Sequence, residues 1–303
     1  DEPNHILLSL DGDFNNQDEI RKIDIRNGKF QVLEDGFRGV QHWMTDANSE
    51  PRFGWGVWQE DRIAYWKNAE GGWVQVTNQD WYKKYDFFGF DDTPDHMLIY
   101  APGKHGTRGV FRLNIETGKV VEELYSHEEV DVDSILFGET ANDLVGVGYT
   151  TDQSQYHYFD EGRAQLDRVM RKALKGYDIS IVDYDEKAGR YLLFAYNDTE
   201  PGVYFQFDRK AKRLAQVTAI RPDMPPELMA STQRINTPTS DNSSIPVYVT
   251  LPVGTPAKKL PAVVLVHGGP YARDDASWDY LAQFLASRGY AVIKPNFRGS
   301  DGY

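Results

Sequence analysis

A repeat of 43 to 48 residues runs through the first two thirds of the chain, and a repeat of that length restricts the fold more than any other feature of the sequence. Five times a β-rich segment ends in a polar turn and leads to a second apolar strand, at 22–29, 64–68, 111–119, 158–160 and 205–210. Turn positions 24, 67, 114, 160 and 208 lie 43, 47, 46 and 48 residues apart. A four-stranded propeller blade takes about 40 to 50 residues. Its outer hairpin closes through positions that tolerate positive φ, which suits Asn27-Gly28 and Thr117-Gly118. Alternating apolar residues flank the turns, as in Leu113, Ile115 and then Val120, Val121, Leu124, the pattern of half-buried antiparallel strands. The sequence therefore reads as mainly β, a β-propeller of which five turns are visible.

One repeat is interrupted by a helical stretch over 161–175, where Leu166, Val169, Met170, Ala173 and Leu174 recur at helical spacing and Gly176 stands where a helix would close. Its apolar stripe fits a helix lying against the propeller edge better than one that binds a partner. Six of the seven tryptophans, Trp43, Trp55, Trp58, Trp66, Trp73 and Trp81, fall within two neighbouring repeats. Packing between blades explains them better than a ligand platform.

The pattern changes at Arg221-Pro222-Asp223-Met224-Pro225-Pro226, where proline removes donors and ends regular structure. This gives three segments: a partial propeller over 1–218, a Pro-rich linker over 219–232, and a second domain over 233–303. The second domain opens with a hairpin. A continuous apolar run, Pro261 to Val266, then reads as a strand buried on both faces of a largely parallel sheet. A helix from about Ser277, closed by Gly289, leads to a further buried strand at Ala291-Val292-Ile293. Strand, helix, strand in that order make a βαβ unit, the beginning of an α/β domain.

With 33 basic and 46 acidic residues the net charge is −13, which repels phosphate backbones and argues against a nucleic-acid partner. No apolar run approaches the roughly eighteen residues needed to cross a bilayer, so no membrane partner is expected. Without cysteine there is no disulfide, thiolate nucleophile or Cys-ligated zinc. That composition suits cytoplasm and periplasm equally.

The most specific text follows the apolar run: His267-Gly268-Gly269-Pro270-Tyr271-Ala272. Paired glycines at a strand end let the backbone approach a ligand with its N–H exposed, and α/β-hydrolases take half of their oxyanion hole from such a loop. Together with Lys294-Pro295-Asn296-Phe297-Arg298-Gly299-Ser300-Asp301-Gly302-Tyr303, this loop resembles the prolyl oligopeptidase family of serine peptidases, especially its acylaminoacyl-peptidase branch. The resemblance is specific over 233–303 and weaker over the repeats.

It implies a seven-bladed propeller in the parent protein, about two blades ahead of Asp1, and an α/β-hydrolase domain cut before its nucleophile. It implies that the Gly269 N–H is an oxyanion donor, that His267 and Gly268 shape the same loop, and that Asn296 and Arg298 brace it. The Ser-His-Asp triad is expected after Tyr303, because no GxSxG elbow occurs and no histidine follows His267. Hydrolysis of short peptides follows for the parent, with no cofactor and no activity in this chain alone. An esterase or lipase of the same fold, or a propeller serving as a binding platform, are the rival readings. An unfinished sheet edge leaves homo-oligomerisation open.

Other candidates are weaker. Asp11-Gly12-Asp13-Phe14-Asn15 begins like a calcium loop, yet Asn16 replaces the turn glycine and Lys22 the bidentate glutamate, so no metal site is expected. The remaining histidines lack the spacing of a zinc hydrolase site. The run of aromatic and acidic residues over 85–92 fits a tunnel lining and a strand ending in a solvated turn equally well.

Overall fold

Five antiparallel sheets follow one another along the chain before the strand pattern changes. The computed structural model describes residues 2–12, 15, 17–46, 48–77, 80–91, 93, 95–138, 143–269 and 271–302; Asp13, Phe14, Asn16, Asp92, Pro270 and Tyr303 lie outside them. Strands β1 (His5–Leu10), β2 (Glu19–Asp24) and β3 (Phe30–Glu34) form the first sheet. The second is a four-stranded meander of β4 (Val40–Thr45), β5 (Pro51–Trp58), β6 (Asp61–Lys67) and β7 (Trp73–Gln75). After helix α1 (Trp81–Lys84) comes a second such meander, β8 (Asp86–Phe90), β9 (His96–Pro102), β10 (Arg108–Asn114) and β11 (Lys119–Tyr125). Strands β12 (Val132–Phe137), β13 (Leu144–Thr150) and β14 (Ser154–Tyr158) make a three-stranded sheet followed by helix α2 (Glu161–Ala173). The fifth sheet is β15 (Asp178–Asp185), β16 (Arg190–Tyr196), β17 (Val203–Asp208) and β18 (Arg213–Ala219). These are propeller blades, each an open antiparallel meander.

The repeat in the sequence has a physical cause in these sheets. Its anchors fall where the third strand of a blade ends, and an Asp or Asn there accepts a hydrogen bond from a backbone N–H a few residues on. Asp24 accepts from Arg26 N (3.0 Å), Asn68 from Gly72 N (2.7 Å), Asn114 from Thr117 N (2.8 Å) and Asp208 from Ala211 N (2.8 Å). In the first and third sheets Gly28 and Gly118 take positive φ, 73° and 65°, and the chain returns as the fourth strand. By this register β1 to β3 correspond to strands two to four of the complete blades. At Asp160 the same carboxylate catches Arg163 N (2.7 Å) and caps α2, so a helix takes the place of a fourth strand.

Helix α2 packs on β14 and β15 through Leu166, Met170 and Leu174, which join Ile179, Tyr191, Leu193 and Phe207 in one core. Val169, expected on that face, is 48% exposed, because i, i+4, i+8 from Leu166 alone reach the sheet. A second core gathers Phe53, Trp81, Phe90, Met97, Ile99 and Leu113, with Trp55, Trp66 and Phe87 against it. Trp43 and Trp73 stack edge-on at 5.2 Å beside Phe37. Most of the tryptophans are thus packing residues. The aromatic and acidic run becomes β8 and its turn, with Asp91 almost fully buried against Arg112.

The last sheet has a different topology. Strands β19 (Thr232–Pro238), β20 (Ser244–Thr250), β21 (Ala262–Val264) and β22 (Ala291–Pro295) take the order β19-β20-β22-β21, antiparallel except for the parallel pair β21 and β22. Helix α3 (Tyr280–Ser287) makes the crossover. It starts at Asp279, whose carboxylate accepts from Leu281 N and Ala282 N (2.8 and 3.1 Å), a few residues later than the sequence pattern suggests. Its buried face rests on β22 and β20. Strand β21 lies at the sheet edge, and Val264 is 61% exposed where burial on both faces was expected.

The described chain falls into two compact units, 1–128 with 135–145, and 129–134 with 146–303. The Pro-rich segment, with one 3₁₀ turn at Pro226–Leu228, lies inside the second. There the buried amide of Gln283 on α3 accepts from Ala230 N (2.8 Å) and donates to Ala230 O (2.7 Å) and Asp198 O (3.0 Å). The Asp198 carboxylate accepts from Thr232 N (2.8 Å). One glutamine thus ties the linker to both of its flanks. Among the described residues no helix is long and apolar enough to cross a membrane.

Candidate active-site loop

Strand alternation on β22 sets up the loop's support. Val292, Lys294 and Asn296 point to the same side, and all three are buried, at 0%, 3% and 2% exposure. A lysine there must be paired. Its Nζ lies 3.0 Å from Asp279 Oδ2 and 3.6 Å from Asp274 Oδ1. Burial opposes ionisation of Asp279, but Lys294 and the Ala282 and Leu281 N–H groups outweigh it and hold the carboxyl below its ordinary value. For Asp274 burial prevails over Lys294 and His267, and the carboxyl is pushed up. Asn296 uses both halves of its amide on the Asp274 backbone, accepting from N at 2.8 Å and donating to O at 2.9 Å. Its own N–H donates to Pro246 O (2.9 Å) on β20.

Beyond β21 the parallel pairing continues for one more bond, Leu265 N to Ile293 O at 2.9 Å, and the chain then leaves the sheet at His267. The imidazole stacks on Phe297, with ring centres 4.4 Å apart and planes 14° apart. Its Nδ1 faces Gly268 O at 3.0 Å, an atom that only accepts, so Nδ1 carries the proton. Nε2 meets Ser300 Oγ at 2.8 Å. The spacing is that of a nucleophile and its base, yet Ser300 is only 7% exposed and its Oγ also lies 2.6 Å from Phe297 O. Among the described residues the partner of Nδ1 is the Gly268 carbonyl and not a carboxylate. His267 and Ser300 thus clasp the end of β21 to the turn at 297–300.

Gly269 follows the clasp with φ of +133°, a region that side chains rarely adopt. A Cβ there would sit 2.7 Å from Tyr271 N and 3.1 Å from Ala272 N, so both conformation and space demand glycine. A Cβ at Gly268 would meet nothing within 4 Å. Among the described residues, the N–H groups of Gly268 and Gly269 donate to no protein acceptor, although both residues are exposed at the end of a sheet strand.

Of the residues singled out in the sequence, His267, Gly268 and Gly269 form one loop, and Asn296 holds the segment just after it. Arg298 stands in the turn at 297–300, but its side chain is paired outside the loop. Its guanidinium is 70% exposed and pairs with Asp241 in the β19–β20 turn. The Thr239 and Ser243 hydroxyls, the Ser243 N–H and Arg298 hold the Asp241 carboxyl well below the usual carboxylate range. Sequence reasoning missed Ser300, Lys294, Asp274 and Arg273. The first three carry a local signal, a polar residue at a buried strand or turn position. A cavity of about 400 Å³ opens beside them, lined by Arg273, Asp274, Asp275, Trp278, Asp279 and Lys294.

Over 99% of its length the chain is similar to dipeptidyl aminopeptidase BIII of Pseudoxanthomonas mexicana, at 27% identity and across 45% of that protein. Dipeptidyl peptidase family member 6 of Caenorhabditis elegans matches 60% of the chain at 24% identity, across 27% of its own length. The chain thus spans less than half the length of these curated relatives. Among solved structures, puromycin hydrolase matches 100% of this chain with 50% of its own, at a TM-score of 0.63 and 14% identity. The Pyrococcus horikoshii acylaminoacyl peptidase matches 99% with 57% of its own, at a TM-score of 0.51 and 14% identity. At such identities the likeness is one of fold. No family model matches the chain.

Proposed function

We propose that the chain belongs to the prolyl oligopeptidase family and that its parent protein is a serine peptidase acting on short peptides, to which residues 267–269 contribute half of the oxyanion hole. The observation that carries this reading is Gly269, a position at the end of a hydrolase-type strand where a side chain is excluded and the N–H is unclaimed by protein acceptors among the described residues. A preorganised donor of that kind stabilises the charge that develops when a serine attacks a peptide carbonyl, and loss of one donor costs about 10²- to 10³-fold in turnover.

In this reading the nucleophile, its histidine and their aspartate come from sequence after residue 303, and this chain alone has no peptidase activity. His267 takes no proton from substrate; its two nitrogens are engaged by Gly268 O and Ser300 Oγ. The curated relatives carry dipeptidyl names, which supports release of dipeptides from a free N-terminus as the first substrate class to test, ahead of acylated aminoacyl substrates.

The test is labelling of the full-length gene product with a fluorophosphonate probe, combined with chromogenic substrates of three kinds: free-amine dipeptidyl, acylaminoacyl and simple acyl ester. Labelling with dipeptide release supports the proposal. Ester cleavage with no peptide cleavage would replace it with an esterase, and no labelling at all with a binding platform.

A further inference from the structure

Four residues after Gly269 the loop meets the turn between β13 and β14, and Arg273 makes the junction. Its Nη1 donates to Thr150 O (2.9 Å) and its Nη2 to Thr151 O (2.7 Å), a planar fork set on two successive carbonyls. The guanidinium passes close to Gly302, where a Cβ would lie 2.8 Å from Nη1. On either side of Arg273 the main chain is also fixed: Asp301 N donates to Ala272 O (2.9 Å) and Ala276 N to Asp152 O (3.2 Å). The turn that receives the fork is itself held, since the Asp152 carboxylate takes Arg234 Nε at 2.8 Å and Tyr248 Oη at 3.4 Å.

Upstream of Gly269 the His267–Ser300 clasp holds the chain. Between that clasp and Ala272, Gly268, Gly269 and Tyr271 are exposed, and among the described residues their N–H groups donate to no protein acceptor. The direction of the Gly269 N–H is therefore set by how its two ends are held, and the downstream end is anchored to a propeller blade. We propose that Arg273 is a positioning residue, through which the β13–β14 turn fixes the orientation of the Gly269 N–H. The inference rests on the reading of Gly269 as an oxyanion donor.

Donors of this kind act only if held within about half an ångström of the productive geometry, and a misplacement of about 1 Å costs about 10²-fold. In the full-length protein, Arg273→Gln is expected to lower kcat about 10- to 100-fold with little change in KM. Affinity for a peptide aldehyde, whose tetrahedral adduct places its oxygen in the hole, falls by the same factor, and inhibition by product peptide does not change. Arg273→Lys recovers part of the loss. Asp152→Ala, which loosens the turn from its other side, shifts kcat and aldehyde affinity in the same direction, and adds nothing when combined with Arg273→Gln.

An Arg273→Gln enzyme whose active-site-titrated kcat and aldehyde affinity match wild type would overturn the proposal, whatever its thermal stability. If Arg273→Gln does not fold, an unchanged kcat in Asp152→Ala has the same consequence. A wild-type protein that fails to label with fluorophosphonate would remove the oxyanion reading itself, and the role of Arg273 with it. A protein that labels and turns over but ignores both substitutions removes only the positioning role.

Discussion

Asn296 and Asp274 are joined as two strands would be: the asparagine amide accepts the Asp274 N–H at 2.8 Å and donates to its carbonyl at 2.9 Å. A side chain thereby supplies ladder bonds to a segment that has no strand beside it. Asn296→Ala leaves both backbone groups to find other partners and is expected to destabilise the second unit by about 2 kcal/mol. Asn296→Asp should do nearly as much harm, since it keeps the acceptor and loses the donor. Urea unfolding of the two variants against wild type measures both.

Gly269→Ala puts a Cβ 2.7 Å from Tyr271 N on a backbone with φ of +133°. The loop must rotate, and its N–H with it. Turnover of the full-length protein is expected to drop about 10²- to 10³-fold with fluorophosphonate labelling slowed in proportion. The melting temperature should change little, because the loop is exposed.

Asp178 is buried at the start of β15, at 5% exposure, and burial raises its carboxyl from 3.8 to about 6 against the opposing pull of Ser154 N–H and Arg171; Asp275 adds to the rise. Burial also pushes the neighbouring Tyr156 up to about 12. An acid with a raised folded-state pKa favours the folded state while protonated. That contribution is complete below pH 3.8 and is lost as pH rises through about 6. Asp178→Asn removes the titration. It should be more stable than wild type by about 3 kcal/mol at pH 8 and indistinguishable below pH 4, in urea midpoints taken across that range.

Asp160→Ala deletes the cap on α2, where the carboxylate accepts Arg163 N at 2.7 Å. A loss of about 1 kcal/mol is expected, typical of an N-cap. Hydrogen exchange should show it first as faster exchange in the opening turn of the helix, at Gly162 and Arg163, with the β16–β17 core unaffected.

The blade period was legible because each anchor lies at or beside a local event, an Asp or Asn catching an N–H within four residues. Helix α2 and the βαβ unit were legible for the same reason. The glycine-rich loop could be read as a loop, and Asn296 singled out near it, since each sits in a short string of specific text. Longer-range partners were not readable. Arg273 and Thr150 are 123 positions apart, and nothing near either of them announces the other. Arg298 was expected beside the loop, but the β19–β20 turn offers it Asp241, a partner 57 residues upstream. The exposure of Val264 follows from strand order, which periodicity does not encode.

The Asx residue at the end of each third strand has an evolutionary consequence. It presents one acceptor that a hairpin or a helix start satisfies equally well, as Asp208 and Asp160 show. A blade can therefore exchange its outermost strand for a helix without altering the three strands before it. This makes the blade rim a place where lineages can graft new segments while the scaffold beneath is inherited unchanged.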